Sequence, residues 1–205
     1  MLLFFELAGT IAFAISGAIV GIQKKMDVFG VAILAMTTGV GGGIIRDVIL
    51  NITPPAAFRN PVFTLTSLAS GIVVFFFVKK RFSIQRKSFY EILLHIMDAS
   101  GLGLFTVIGV ETAYTHVADT NVHLAVFVGV ITGVGGGVLR DVLAGNTPYI
   151  FTKHFYACAS IAGAVVCSLC WHHFQPIPCM LAGAVTVIVL RFLAAHYRWN
   201  LPKAD

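Results

Sequence analysis

Seven apolar stretches, each close to the roughly 20 residues that a helix needs to cross hydrocarbon, fill almost the whole of this 205-residue chain. They run at 2–22, 28–50, 61–78, 90–110, 122–145, 154–172 and 177–195. The connections between them are too short to hold a soluble domain, so whatever the chain does is done within a bilayer. Composition agrees: 58% of residues are hydrophobic and 11% charged, with a mean hydropathy of +0.89, whereas about a quarter of a soluble domain is charged. The sequence therefore predicts an all-α integral membrane protein of seven transmembrane helices, with residues 1–205 forming a single membrane domain. The first stretch begins MLLFFELAG, has no basic start, carries Glu6 and runs longer than the core of a signal peptide, so it reads as a retained helix.

Lysine and arginine in the connections set the orientation. With the N-terminus outside, the cytoplasmic side receives Lys24, Lys25, the run KKRFSIQRK at 79–87, Lys153, Arg198 and Lys203, and the outside little beyond Arg59. The C-terminus is then cytoplasmic. The same asymmetry accounts for the net charge of +5: basic groups meet anionic headgroups, and neither nucleic acid nor a soluble partner is implied. Lys79, Lys80, Arg81, Arg86 and Lys87 are candidates for contact with anionic membrane lipids, or serve only as a topology signal.

Within the apolar stretches one pattern occurs twice. TGVGGGIIRDVILNITP (38–54) and TGVGGGVLRDVLAGNTP (132–148) agree at about two thirds of positions without a gap. Upstream, ELAGTIAFAISG parallels DASGLGLFTVIG, which brings Glu6 onto Asp98, Phe13 onto Phe105 and Gly17 onto Gly109. Repeat one covers about 1–79, a basic linker 80–89, repeat two about 90–173, and an added helix with its tail 174–205. Three spans per repeat is an odd number, so the second repeat enters from the opposite side and is inverted. Inverted repeats are a common plan of membrane transport proteins, with the pathway at the interface between repeats.

On a helix Gly39, Gly42 and Arg46 share one face, and Gly43 and Asp47 an adjacent one; Gly133, Gly136, Arg140 and Gly137, Asp141 repeat the spacing. Clustered glycines let a second helix approach closely, or let the helix unwind so that its backbone faces a cavity. Ionised groups are costly in hydrocarbon and mark pathways. Neighbouring Arg and Asp point apart on an ideal helix, so the expected pairing is exchanged between repeats, Arg46 with Asp141 and Arg140 with Asp47. The candidate pathway residues are Gly41, Gly42, Gly43, Arg46, Asp47, Gly135, Gly136, Gly137, Arg140 and Asp141, with the repeat-equivalent acids Glu6 and Asp98. Glu91 and His95 read as a solvated helix end, and Asp27, Glu111, His116, Asp119 and His123 as loop or boundary residues.

Other chemistries fail on context. A dinucleotide fingerprint needs a strand before its glycines, and a P-loop needs a closing Gly-Lys-Ser/Thr. CSLCWHH (167–173) has a C-x-x-C spacing beside two histidines, but no second such pair answers it, and the cysteines read as small apolar side chains. No nucleophile and base stand together, so no enzyme and no cofactor are expected.

The doubled GVGGGxxRDV resembles the prokaryotic branch of the trimeric intracellular cation channel family, whose bacterial members also carry a glycine transporter domain name. The resemblance covers nearly the whole chain. It implies a homotrimer in which each protomer has its own water-accessible pathway for potassium and sodium between the repeats. It also implies that the second and fifth spans bend at Gly41–Gly43 and Gly135–Gly137, setting Arg46, Asp47, Arg140 and Asp141 beside the conduit. Animal members have a Lys-Glu-Val triplet in the second span and bind phosphoinositide through basic groups; the triplet is absent here, and its place is held by the Gly and Arg-Asp pattern. A secondary transporter for glycine or another small zwitterion is the alternative, since an Arg/Asp pair can also clasp a carboxylate and an ammonium. A scaffold without transport is the third.

Overall fold

The computed structural model describes residues 2–79, 87–152 and 155–199, and among them every regular element is a helix. The order is α1 (Leu2–Gln23), α2 (Val28–Ile49), α3 (Ala56–Arg59), α4 (Pro61–Lys79), α5 (Lys87–His116), α6 (Val122–Leu143), α7 (Tyr149–Thr152), α8 (Tyr156–Cys170) and α9 (Pro176–His196). Helices α1, α2, α5, α6 and α9 are long and apolar enough to cross a membrane, while α4 and α8 are shorter apolar helices. Lys80, Arg81 and Arg86 of the basic run lie outside the described residues, as do the side chains of Lys79 and Lys87.

Local chemistry sets the helix ends at equivalent places in the two repeats. Asp27 accepts a hydrogen bond from the Gly30 amide at 2.7 Å, and Asn121 accepts one from the Leu124 amide at 2.8 Å. Each satisfies one of the free amides that begin α2 and α6. Pro61 and Pro176 open α4 and α9, where a missing amide hydrogen costs nothing. Helix α5 runs six residues past the expected 110, which carries Glu111 into a buried helical position.

The two middle helices cross at their glycines, and here the structure departs from the expected bends. Both α2 and α6 are unbroken helices of 22 residues that run straight through Gly41–Gly43 and Gly135–Gly137. A side chain on Gly42 would run into the Thr132 carbonyl oxygen, and one on Gly136 into that of Thr38. With so little room between the backbones no water could satisfy carbonyls released by unwinding, so the helical hydrogen bonds stay closed. The glycines serve close packing.

Those contacts also reveal the symmetry. Thr38 and Gly42 are equivalent in sequence to Thr132 and Gly136, and the crossing swaps them: Gly42 faces Thr132 and Gly136 faces Thr38. Such an exchange is what a local two-fold axis between antiparallel helices requires. The flanking helices follow suit. Gly17 of α1 lies against Thr38, and Gly109 of α5 lies against Thr132. Phe13 and Phe105, themselves equivalent, stack at 5.4 Å between the halves. Helix α9 stands outside this pattern and packs on α5 and α8. Outward faces carry large exposed apolar side chains, among them Leu65, Phe76, Phe89, Leu169 and Val185, which suit hydrocarbon rather than water.

Candidate functional site

Four residues from the doubled motif, Arg46, Asp47, Arg140 and Asp141, are all buried. Their pairing corrects the exchange expected from sequence. Arg46 Nε donates to Oδ1 of its own neighbour Asp47 at 2.8 Å, with Nη2 at 2.7 Å. Arg140 Nε likewise donates to Asp141 Oδ1 at 2.8 Å. The reason is the antiparallel crossing. Arg46 lies about six residues beyond it in one direction and Asp141 about seven in the other, which separates them by about 20 Å along the axes at 1.5 Å per residue. A long guanidinium stem can curl back to an adjacent carboxylate, but it cannot span that gap.

Each aspartate has a second task. Oδ2 of Asp47 accepts the Ala56 amide that begins α3, at 2.7 Å. Oδ2 of Asp141 accepts the Tyr149 amide that begins α7, at 2.9 Å. An Arg-Asp pair thus closes the end of its helix and anchors the chain that turns back into the next one. Loss of Asp47 would leave a buried guanidinium and a buried amide unsatisfied together, whereas loss of Asp141 would strand the Tyr149 amide and remove one of the partners of Arg140.

The equivalent acids are treated differently in the two halves. Glu6 on α1 is half-buried and makes no ion pair among the described residues; it lines a small, partly open cavity of about 30 Å³ with Thr10, Gly43, Arg46, Asp47, Ala56, Phe63 and Phe105 among the lining residues. Asp98, its counterpart on α5, is 1% exposed. It receives Arg140 Nη1 on Oδ1 at 2.7 Å and has Arg191 Nη2 of α9 at 3.5 Å from Oδ2. Ser16 of α1 also accepts from Arg140. The second half is packed differently around its acid. Ala56 corresponds to Tyr149 and Phe63 to Tyr156, and these tyrosines pack around Arg140 and Arg191 with the guanidinium carbons 4.8 Å from the Tyr149 ring and 4.6 Å from the Tyr156 ring.

Two charge clusters result, set apart along the molecule. Glu6 and Ser16 are ten residues apart on α1, hence about 15 Å, and the Phe13–Phe105 pair lies between them. Phe105 lines the cavity, while Phe13, 1% exposed, fills the room left by Gly101 and Gly136. On the Glu6 side three acids, Glu6, Asp47 and Glu111, face one base, Arg46. Glu111 is 8% exposed and within electrostatic reach of Arg46 and Glu6. On the other side Asp98 and Asp141 are matched by Arg140 and Arg191. Sequence reasoning missed two of these residues. Glu111 was placed at a boundary because the helix was drawn too short. Arg191 has no repeat counterpart, although a lone charge in an apolar span is itself a signal. Of the remaining polar positions Asp27, Glu91, His116, Asp119 and His123 are exposed as expected, whereas His95, expected at a solvated helix end, is half-buried with its ring edge-on to Phe192 of α9 at 5.6 Å. The four cysteines are free thiols, with Cys167 and Cys179 buried.

Comparison with known proteins gives a consistent set of relatives. The sequence profile of the family described as "Glycine transporter" matches residues 3–79 and again 95–172. The UPF0126 inner membrane protein YadS of Escherichia coli K12 is 35% identical over 200 residues, 96% of this chain and 93% of that protein. Among solved structures, a TRIC cation channel studied for its conductance is 35% identical, with a TM-score of 0.84 over 98% of this chain and 96% of the other. The TRIC trimeric intracellular cation channel orthologue from Rhodobacter sphaeroides is 30% identical, with a TM-score of 0.87 over 96% and 98%.

Proposed function

Starting from the premise that this chain belongs to the glycine transporter family and shares the fold of the TRIC cation channels, we propose that it is an inner-membrane channel for monovalent cations. Its pathway runs within one protomer, between two three-helix repeats of opposite orientation, and potassium and sodium are the permeant ions. Seven helices cross the membrane with the N-terminus outside and the C-terminus in the cytoplasm, and three copies assemble around a common axis. The basic turn Lys24–Lys25 and the equivalent ends of α4 and α5 then face the cytoplasm, as the positive-inside rule requires. In that frame the cavity at Glu6 opens outward.

The observation that carries this reading is the excess of acid over base at the cavity. Because α2 and α6 are unbroken, backbone carbonyls are engaged within the helices and contribute little free dipole to a passing ion. Attraction for cations falls to Glu6 and Glu111, with Asp47 committed to Arg46 and to the Ala56 amide. Carboxylates on a water-lined wall leave much of an ion's hydration in place, so discrimination between potassium and sodium is modest. The Phe13–Phe105 pair and the tyrosine-filled second half close the path in this conformation.

A second reading has a specific observation in its favour. Arg46 and Glu6 line the same cavity, which sets side by side the opposite charges that a small zwitterion such as glycine would need. Purified protein in a planar bilayer under a KCl gradient separates the two. Unitary steps that reverse near the potassium equilibrium potential are the expected result. Electrical silence together with saturable glycine uptake into proteoliposomes would establish the carrier instead.

A further inference from the structure

Helix α9, PIPCMLAGAVTVIVLRFLAAH, carries one arginine in a largely apolar sequence that ends on His196. That arginine, Arg191, is 3% exposed. An arginine inside an apolar span is retained only where something compensates its charge, and the acid it approaches is Asp98, with Nη2 3.5 Å from Oδ2. Asp98 already holds Arg140 at 2.7 Å through its other oxygen. The contact to Arg191 is the longer of the two, and stacking on the Tyr156 ring at 4.6 Å helps hold the guanidinium there.

The equivalence of the halves shows what this arrangement replaces. Glu6 occupies the matching position in the first repeat, beside a cavity and, among the described residues, in no ion pair with a basic side chain. In the second repeat the corresponding carboxylate meets a guanidinium delivered from outside the repeats. Arg191 also lies beyond the two segments matched by the family profile, which end at residue 172. We propose that Arg191 is a tethered counter-ion: it holds the place of a monovalent metal cation at Asp98, and so keeps a latent carboxylate cation site in the second half occupied and electrically neutral. Without it, Asp98 and Asp141 outnumber Arg140 by one charge, in a space where Tyr156 supplies an aromatic face and a hydroxyl 3.4 Å from Asp98 Oδ1. A potassium or sodium ion entering from solution is the species that restores the balance.

The consequence for current rests on the channel reading, whereas the binding site does not, and the test is chosen to keep them apart. Wild-type protein, Arg191→Gln and the double variant Arg191→Gln/Asp98→Asn are purified in detergent, and their melting temperatures compared in KCl and in choline chloride of equal ionic strength. Arg191→Gln is expected to gain about 3 °C in potassium beyond any shift of the wild type, because an ion that binds only the folded state stabilises it. The double variant, again neutral, loses that gain. An Arg191→Gln protein whose potassium response equals that of the wild type overturns the proposal. If Arg191→Gln folds poorly in choline, recovery in high KCl supports the site, and equal failure in both salts overturns it. The same proteins in planar bilayers read the other question. Silence of the wild type removes the channel reading but leaves the melting result to stand, and a conducting wild type with a potassium-indifferent Arg191→Gln removes the counter-ion alone.

Discussion

Gly136→Val is expected to lower the melting temperature of the detergent-purified protein by about 10 °C or to prevent its recovery, while Gly43→Ala is expected to melt at or above the wild type. The two glycines belong to equivalent clusters, yet their surroundings differ. A Cβ at Gly136 points at the Thr38 carbonyl oxygen and also meets the Phe13 ring at 3.0 Å. A backbone carbonyl cannot rotate away as a side chain can, so α2 and α6 must separate. Overpacking of this kind costs about 3 kcal/mol or more, a large share of the 5–15 kcal/mol that holds a typical domain together. A change of that size in a chain of this length shifts the melting point by about 10 °C. A Cβ at Gly43 finds its nearest neighbour in the tip of the Arg46 side chain at 4.0 Å, and alanine favours a helix over glycine by about 1 kcal/mol. If unwinding at the cluster were its purpose, the two substitutions would instead act alike, on current rather than on stability.

Arg140→Met is expected to destabilise the protein by about 3–5 kcal/mol, the usual cost of stranding a buried charge. Its guanidinium serves Asp98, Asp141 and Ser16 at once and is 0% exposed, so methionine leaves two carboxylates without their main partner. Arg46→Met is expected to cost less than half as much. Asp47 keeps the Ala56 amide, and the adjoining cavity lets water reach the carboxylate. Adding Asp98→Asn to Arg140→Met should return part of the loss, since residues in one network are not additive. Denaturation midpoints of the four proteins check this ordering. Equal losses for Arg46→Met and Arg140→Met would mean that the halves are not as different as their packing indicates.

Much of this fold could be read from the sequence, because hydrocarbon admits few solutions. Each of the seven apolar stretches coincides with a helix, with ends displaced by a few residues where caps such as Asp27 and Asn121 set them. The duplicated motif singled out Arg46, Asp47, Arg140 and Asp141 as charged groups within the membrane, and the alignment made Glu6 and Asp98 equivalent; the structure buries the four and sets Glu6 at the cavity of Arg46 and Asp47 and Asp98 against Arg140. What sequence could not supply was the geometry between helices. Pairing across the repeats looked sound on charge alone, but it depends on where along α2 and α6 the crossing falls, and a crossing at the glycines puts the arginines at opposite ends. The same contact keeps the helices whole, since backbones pressed together leave no water for an unwound turn. The unequal fate of Glu6 and Asp98 follows from side-chain volume at Ala56 and Tyr149 and from an arginine on a helix outside the repeats. Neither is visible in a pattern that scores only polarity.

The account stands or falls on whether cations enter through the cavity walled by Glu6 and electrically served by Glu111. The most direct measurement is the reversal potential of wild type and Glu6→Gln/Glu111→Gln in planar bilayers with unequal KCl on the two sides. The wild type should reverse near the potassium potential and the double variant close to zero, with a smaller unitary current. Unchanged reversal after both carboxylates are neutralised would contradict the account and place the ion's route elsewhere.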